Sequence, residues 1–229
     1  MAFEYILLDL DGTLTNPVEG ITKSINYAME KMGKPLVPDA LIPKFIGPPL
    51  KDGYMMNLGF TAEEAERAVT IYRERYAPVG LYENKLIEGT REMLTRLSNA
   101  GKTIALATSK PDDMAKELIR HFDISGYFDF ISGASLDFNG RHNKTEIIKY
   151  ALENLGIIPE QGDLNGVSGK LAKTVMVGDR FHDIEGAKNV GITSVAVLSG
   201  FGDRAEFEKY KADFIAENLF EACDIILSV

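Results

Sequence analysis

From Gly89 onward the sequence alternates with a regularity that leaves few folds open. Helix-like "TREMLTRLSNA", strand-like "TIALATS", helix "DMAKELIRHF", strand "FDFISG", helix "TEIIKYALENL", strand "TVMVGD", helix "DIEGAKNV" and strand "ITSVAVL" follow one another. Apolar strands separated by helices pair in parallel and need helical cover on both faces. The opening run "YILLDL" has the same composition and predicts a further strand of that sheet. Between it and Gly89, only helical signals occur from Val18 to about Leu81. Ile21, Ile25, Ala28, Met29 and Met32 recur at helical spacing, and Thr61 with Glu64 makes a capping box before Ala65, Ala68, Val69, Tyr72 and Tyr76. The expected fold is therefore α/β. A three-layer parallel-sheet core spans residues 1–15 and 86–229, and an all-helical domain is inserted over 16–85. Within the insert, the "YMM" of Tyr54 to Met56 reads as core, and the polar, glycine-rich "IPEQGDLNGVSGKLAK" later in the chain reads as an extended mobile loop.

Composition narrows the classes of function. The 229 residues carry 34 acidic and 25 basic side chains, a net charge of -9, which argues against a general nucleic-acid or anionic-membrane surface while leaving room for a local basic site. The first apolar segment begins at Tyr5 and runs straight into charge, so neither a signal peptide nor a membrane span is expected. The single cysteine, Cys223, lies on the apolar side of "NLFEACDIILSV" and reads as a small buried hydrophobe, for which a reducing cytoplasm is the simplest setting.

In an open parallel sheet, ligands bind beyond the carboxyl ends of the strands. Those ends carry Asp9 and Asp11, then Thr108, Ser109 and Lys110, then Asp179 and Asp183, while the loop "GRHNK" after "FDFISG" offers Arg141 and Lys144. Four carboxylates converging on one place repel unless a cation sits among them, and a hard, oxygen-preferring ion such as Mg2+ is the expected one. Asp9 and Asp179 with a backbone carbonyl such as that of Asp11 would suffice as ligands, with Asp183 completing the acidic set. A hydroxyl from Thr108 and the charge of Lys144 complete a cradle for a phosphoryl group. Asp9 is the expected nucleophile and Asp11, two positions on and facing the same way, the general acid/base. Thr108 has a plainer reading as a helix N-cap before "KPDDMAK", and Asp183 one as an acid favoured by a helix N-terminus. His182, between two site aspartates, reads as a solvated or supporting histidine.

With these residues in view, the chain resembles the haloacid dehalogenase-like hydrolases. Their D-x-D-G-T signature stands here as "DLDGT", Asp9 to Thr13, and the match extends over nearly the whole chain. The second motif of that family looks like Thr108 in "LATSK", its lysine like Lys144, and its acidic pair like Asp179 and Asp183 in "GDRFHD". The lysine stands in "GRHNKTE" where many relatives have a K-P-x-P context, and Arg141 is taken as an auxiliary contact. A helical cap between the first two motifs is similar to the phosphoglycolate phosphatase-like branch with its Rossmann-like core. "FIGPPL", Phe45 to Leu50, resembles a cap loop of members described as phosphoglycolate phosphatases or 5'-nucleotidases.

The resemblance implies a Mg2+-dependent phosphatase that hydrolyses a small phosphomonoester, such as phosphoglycolate, a nucleoside monophosphate or a sugar phosphate, through an aspartyl-phosphate. Ile46, Gly47, Pro48, Pro49 and Leu50 are expected to face the leaving group, with Lys51 flanking them. A phosphomutase uses the same two aspartates and is the nearest alternative. A phospho-acceptor module of the response-regulator type, or a binding protein without catalysis, is the alternative from another class, but the former has no helical insert.

Overall fold

The computed structural model describes residues 2–135, 140–159 and 167–228. In chain order its elements begin with β1 (Tyr5–Leu8), β2 (Thr15–Asn16), α1 (Val18–Lys31), α2 (Leu50–Leu58), α3 (Ala62–Arg75) and β3 (Lys85–Leu86). There follow α4 (Thr90–Asn99), β4 (Thr103–Pro111), α5 (Asp112–His121), β5 (Phe130–Ala134), α6 (Lys144–Asn154) and α7 (Val167–Leu171). The chain continues through β6 (Thr174–Gly178), α8 (Phe181–Val190), β7 (Thr193–Val197), α9 (Arg204–Tyr210), β8 (Phe214–Ala216) and α10 (Leu219–Ser228). It divides into two compact units, Met1–Leu14 with Leu86–Val229, and Thr15–Lys85.

The first unit is a parallel sheet in the order β5-β4-β1-β6-β7-β8. Its middle strands are apolar on both faces because both faces are covered: Ile6, Leu7 and Leu8 are fully buried, as are Ile104 to Ala107 and Val175 to Val177. Alternation along β1 turns Leu7 into a cluster with Ala105, Ala107 and Met176, closed by Ile147, Ile148, Ala151 and Leu152 of α6 and Ala187 of α8. α4 and α10 pack on one another along the sheet, burying Met93, Leu94, Leu97, Ala222, Cys223 and Ile226. Burial also pushes the Cys223 thiol up, which keeps it an inert hydrophobe. With β4 on one side of β1 and β6 on the other, the order reverses at β1, so Asp9 leaves the sheet at its topological switch point.

The second unit is helical. Its α3 opens with the reciprocal Thr61–Glu64 capping box, and Ala65, Ala68 and Tyr72 form its buried stripe. Phe45 meets Tyr54 edge-on at 5.5 Å between ring centroids, and Tyr54 stacks on Phe60 at 5.6 Å. α1 meets the π-helical turn Tyr76–Gly80 where a Cβ on Gly20 would lie 1.9 Å from the Gly80 carbonyl oxygen, so only glycine allows that approach.

Three local expectations need correction. Tyr54 is buried, but Met55 and Met56 are 38% and 74% exposed, because the helical turn carries them past the apolar face. The stretch expected to be an extended loop contains α7, Val167–Leu171, while residues 160–166 lie outside the described residues. The sheet also has a strand that the sequence analysis did not single out, β8, too short at three residues to show a period. Among the described residues, no helix is long and apolar enough to cross a membrane.

Candidate active site

The buried charged residues cluster in the first unit, at the carboxyl ends of β1, β4 and β6. After β1 the chain makes a tight turn in which Thr13 and Leu14 donate to the Leu10 carbonyl and Gly12 takes φ +92. Only glycine suits that backbone, and space requires it as well: a Cβ there would lie 2.2 Å from Asp179 Oδ2. Gly200 and Gly178 make similar room, since a Cβ on the first would sit 2.3 Å from Asp179 Cβ and on the second 2.1 Å from Asp183 Cγ.

Asp9, Asp179 and Asp183, each buried, bring one carboxylate oxygen apiece within 4.8 Å of one another. Like charges at that distance repel by roughly 3 kcal/mol per pair at an effective dielectric constant of about 20. Burial, and then the charges of Asp183 and Asp9, push the Asp179 carboxyl well above the usual range, against the opposing pull of donors from Phe201 N at 2.8 Å and Thr13 Oγ1 at 3.2 Å. Burial pushes Asp183 up to about 6, with Lys144 opposing and Asp9 reinforcing the rise.

Lys144, the first residue of α6, is set by the capping box of Asn143 and Glu146. Its ammonium lies 3.0 Å from Asp9 Oδ1 and 2.8 Å from Asp183 Oδ1, and donates to the Ala107 carbonyl at 3.0 Å. Burial pulls this lysine down, but Asp183 and Asp9 outweigh it and hold the ammonium above the ordinary lysine value. Asp9 Oδ1 and Asp183 Oδ1 are buried, and each meets the Lys144 ammonium as an ion pair. Three crowded carboxylates, two of them sharing one ammonium and all walled by glycines, fit a hard divalent cation such as Mg2+.

The remaining expected residues divide. Thr108 is buried at the end of β4 and accepts from Lys110 N at 3.2 Å. It is no helix cap, because α5 starts at Asp112 with Pro111 in the cap position. Asp183 combines its two readings, accepting from Arg180 N at the start of α8 while also meeting Lys144. The Asp11 carboxylate stands apart from the three clustered acids and pairs with Lys110 at 2.5 Å. Ser109 is half-buried between Thr108 and Lys110. Arg141 lies elsewhere, its guanidinium 3.8 Å from the centroid of the Tyr150 ring and its Nε donating to the Gly133 carbonyl. His182 is half-buried against Phe181 with Nε2 unpartnered, and burial lowers its pKa, helped by the Arg180 and Lys144 charges. In the helical unit Ile46 is buried, Gly47 takes φ +101, Pro48 and Leu50 are half-buried, and Lys51 pairs with Glu66.

Sequence reasoning gave no role to Thr13 or to the Gly200–Gly202 turn, where Gly202 N donates to the Asp179 carbonyl at 3.0 Å. The signal was present as the glycine-rich "LSGFG" directly past a strand end.

Comparison with known proteins agrees with this geometry. The family model described as haloacid dehalogenase-like hydrolase matches residues 6–197. A 5'-nucleotidase of Pseudomonas aeruginosa is 38% identical over 211 residues, covering 92% of this chain and 90% of that protein. The tyrosine-protein kinase PtkA of Mycobacterium tuberculosis is 38% identical over 205 residues, 89% of this chain and 65% of the kinase. The crystal structure of a protein described as a predicted phosphatase from Clostridium acetobutylicum superposes with a TM-score of 0.88 at 35% identity, covering all of both chains. The strand order, the buried acidic cluster at the switch point and these likenesses together make the chain a member of the haloacid dehalogenase-like hydrolases.

Proposed function

We propose that the protein is a Mg2+-dependent phosphatase that hydrolyses a small phosphomonoester through an aspartyl-phosphate on Asp9. The observation that carries the reading is the Asp9 carboxylate at the end of β1, beside one buried ammonium and two further buried carboxylates. Asp9, Asp179 and Asp183, with the Asp11 carbonyl, would hold the cation. When bound, it offsets the charge of the site so that an anionic phosphate ester can approach a carboxylate.

The chain's own groups supply the rest. An Asp9 oxygen attacks phosphorus in line with the ester oxygen, the P–O bond to the alcohol breaks, and Asp11 gives that oxygen its proton. Water then attacks the same phosphorus while Asp11 takes its proton, which releases phosphate and restores Asp9. The Thr108 hydroxyl donates to a phosphoryl oxygen, Ser109 borders the same place, and Lys144 balances the negative charge as it redistributes. Selection among esters is assigned to the loop of Ile46, Gly47, Pro48 and Leu50 with Lys51. A reducing cytoplasm suits the buried thiol.

The test is turnover of a panel including phosphoglycolate, nucleoside monophosphates and sugar phosphates, with Mg2+ and with chelator. Free phosphate released from at least one ester only with Mg2+ is the expected result, and Asp9→Asn should retain under about a hundredth of it. Phosphoryl transfer between positions of a sugar with no net phosphate release would replace hydrolysis by mutase chemistry.

A further inference from the structure

The two buried lysines of the site meet different carboxylates. Lys144 meets Asp9 and Asp183, whereas the Lys110 ammonium meets Asp11 Oδ2 at 2.5 Å. The Lys110 side chain is 4% exposed and that of Asp11 17%, so the pair is largely shielded from water, where a charge-assisted contact is strong and directional. The backbone places it there. Pairing of β4 with β5 shifts register between Ala107 and Pro111, and within that irregular stretch Lys110 N donates to Thr108 Oγ1 at 3.2 Å. One residue therefore ties the proposed phosphoryl-contact hydroxyl, through its main chain, to the proposed proton carrier, through its side chain.

We propose that Lys110 is a positioning residue for Asp11, fixing the orientation of its carboxylate toward the ester oxygen. The proposal rests on the reading of Asp11 as the proton carrier. The Asp11 side chain has two rotatable bonds, and losing the Lys110 contact widens the set of rotamers open to its carboxylate, including ones that aim its oxygens away from the leaving group. Proton transfer falls off steeply with such misplacement, whereas attack by Asp9 does not depend on it. Removing Lys110 should thus imitate a partial loss of Asp11 and leave the nucleophile in place. A lysine contacting the phosphoryl group directly would instead affect every substrate alike.

The test compares kcat/KM, which reports the step that expels the leaving group, for an aryl phosphate and an alkyl phosphate in wild type, Lys110→Met, Asp11→Asn and the double variant. Lys110→Met is expected to lose about 10- to 100-fold with the alkyl ester and less than about threefold with the aryl ester. Added to Asp11→Asn, it should cost less than about twofold more, because the two residues act as a unit. Lys110→Arg keeps the buried cation and guards against a misfolded Lys110→Met; it should show the same selectivity on a smaller scale. Equal losses for both esters, or a loss that adds fully to that of Asp11→Asn, would overturn the positioning role. A wild type that hydrolyses neither ester would instead overturn the phosphatase reading, and this proposal with it.

Discussion

The two units of the molecule share surface ion pairs but differ in whether they bury charge. In the helical unit the ion pairs lie toward the surface: Lys23 with Glu19 and Glu83, Lys34 with Glu64, Lys51 with Glu66, and Arg75 with Glu83, the last pair about four-fifths covered. Its buried side chains are apolar or aromatic apart from Thr15, Ser24 and the tyrosine hydroxyls. In the α/β unit, by contrast, Asp9, Lys110, Lys144, Asp179 and Asp183 are all buried, and among the described residues they are the buried charged side chains of the whole chain. Burying charge is destabilising even where opposite charges pair, and stability alone gives no reason to gather three carboxylates and two ammonium groups in one place. The contrast teaches where binding chemistry is concentrated, because strained electrostatics of this kind is relieved only when a ligand of the right charge arrives.

The sharpest way to break that contrast is at Gly12. An alanine there would force a Cβ into the Asp179 carboxylate and adopt an unfavourable φ, so activity should fall about hundredfold or more, the effect of displacing a site group by about an ångström. Gly33 has a comparable φ of +66 in the helical unit with nothing within 4 Å, and an alanine there should leave kcat within about twofold. Similar losses at both positions, by steady-state kinetics, would dissolve the distinction.

Next in size is the response to charge removal. Asp179→Asn should abolish most activity, yet in chelator it should be at least as stable as the wild type, by up to about 1 kcal/mol, because a repelling carboxylate is gone. Mg2+ at about a hundred times its Kd should stabilise the wild type by about 2.7 kcal/mol and the variant far less. Denaturant unfolding with and without the ion checks both, and a variant destabilised by more than about 2 kcal/mol in chelator would show that Asp179 is a structural group.

A smaller effect separates the units by pH. In metal-free protein Asp183 binds its proton more tightly folded than unfolded, its carboxyl lying near 6 against an ordinary 3.8, so its contribution favours the fold at low pH and is lost as pH rises between those values. Glu83 has the reverse sign. Its hydrogen bonds with Arg75, aided by Lys23 and opposed by burial, hold it at about 2 against 4.5, so its stabilisation is present above 4.5 and lost as pH falls toward 2. Hydrogen exchange read separately on peptides of each unit should show the two trends in opposite directions. The smallest expected effect is that of Glu83→Gln, about 0.5 to 1 kcal/mol of stability with no change in kcat, measured by thermal melting and turnover.

Much of the fold was legible because it rests on period and composition. The continuous apolar strands could be buried only between two helical layers, and the alternation after Gly89 implied that they pair in parallel. β8 was illegible because three residues carry no period; its place is secured by Asp213, whose carboxylate holds both the backbone and the hydroxyl of Ser194. Within the site, Asp9 and Asp179 could be placed from strand ends alone. The contacts of Lys110 with Asp11 and of Lys144 with Asp9 and Asp183 could not, because they depend on a register shift in β4 and on where α6 begins. Arg141 shows the same limit: nearness to Lys144 in sequence does not say that its guanidinium rests on Tyr150.

The central claim is that the strained charges of the α/β unit serve a phosphoryl group carried on Asp9. The most direct measurement is peptide mapping by mass spectrometry after acid quench during turnover of a phosphate ester with Mg2+, in wild type and Asp9→Asn. The account predicts a phosphoryl group on the wild-type peptide that contains Asp9, absent from Asp9→Asn and from wild type kept in chelator. Phosphate release at an undiminished rate from Asp9→Asn, or a phosphoryl group found on another residue, would contradict it.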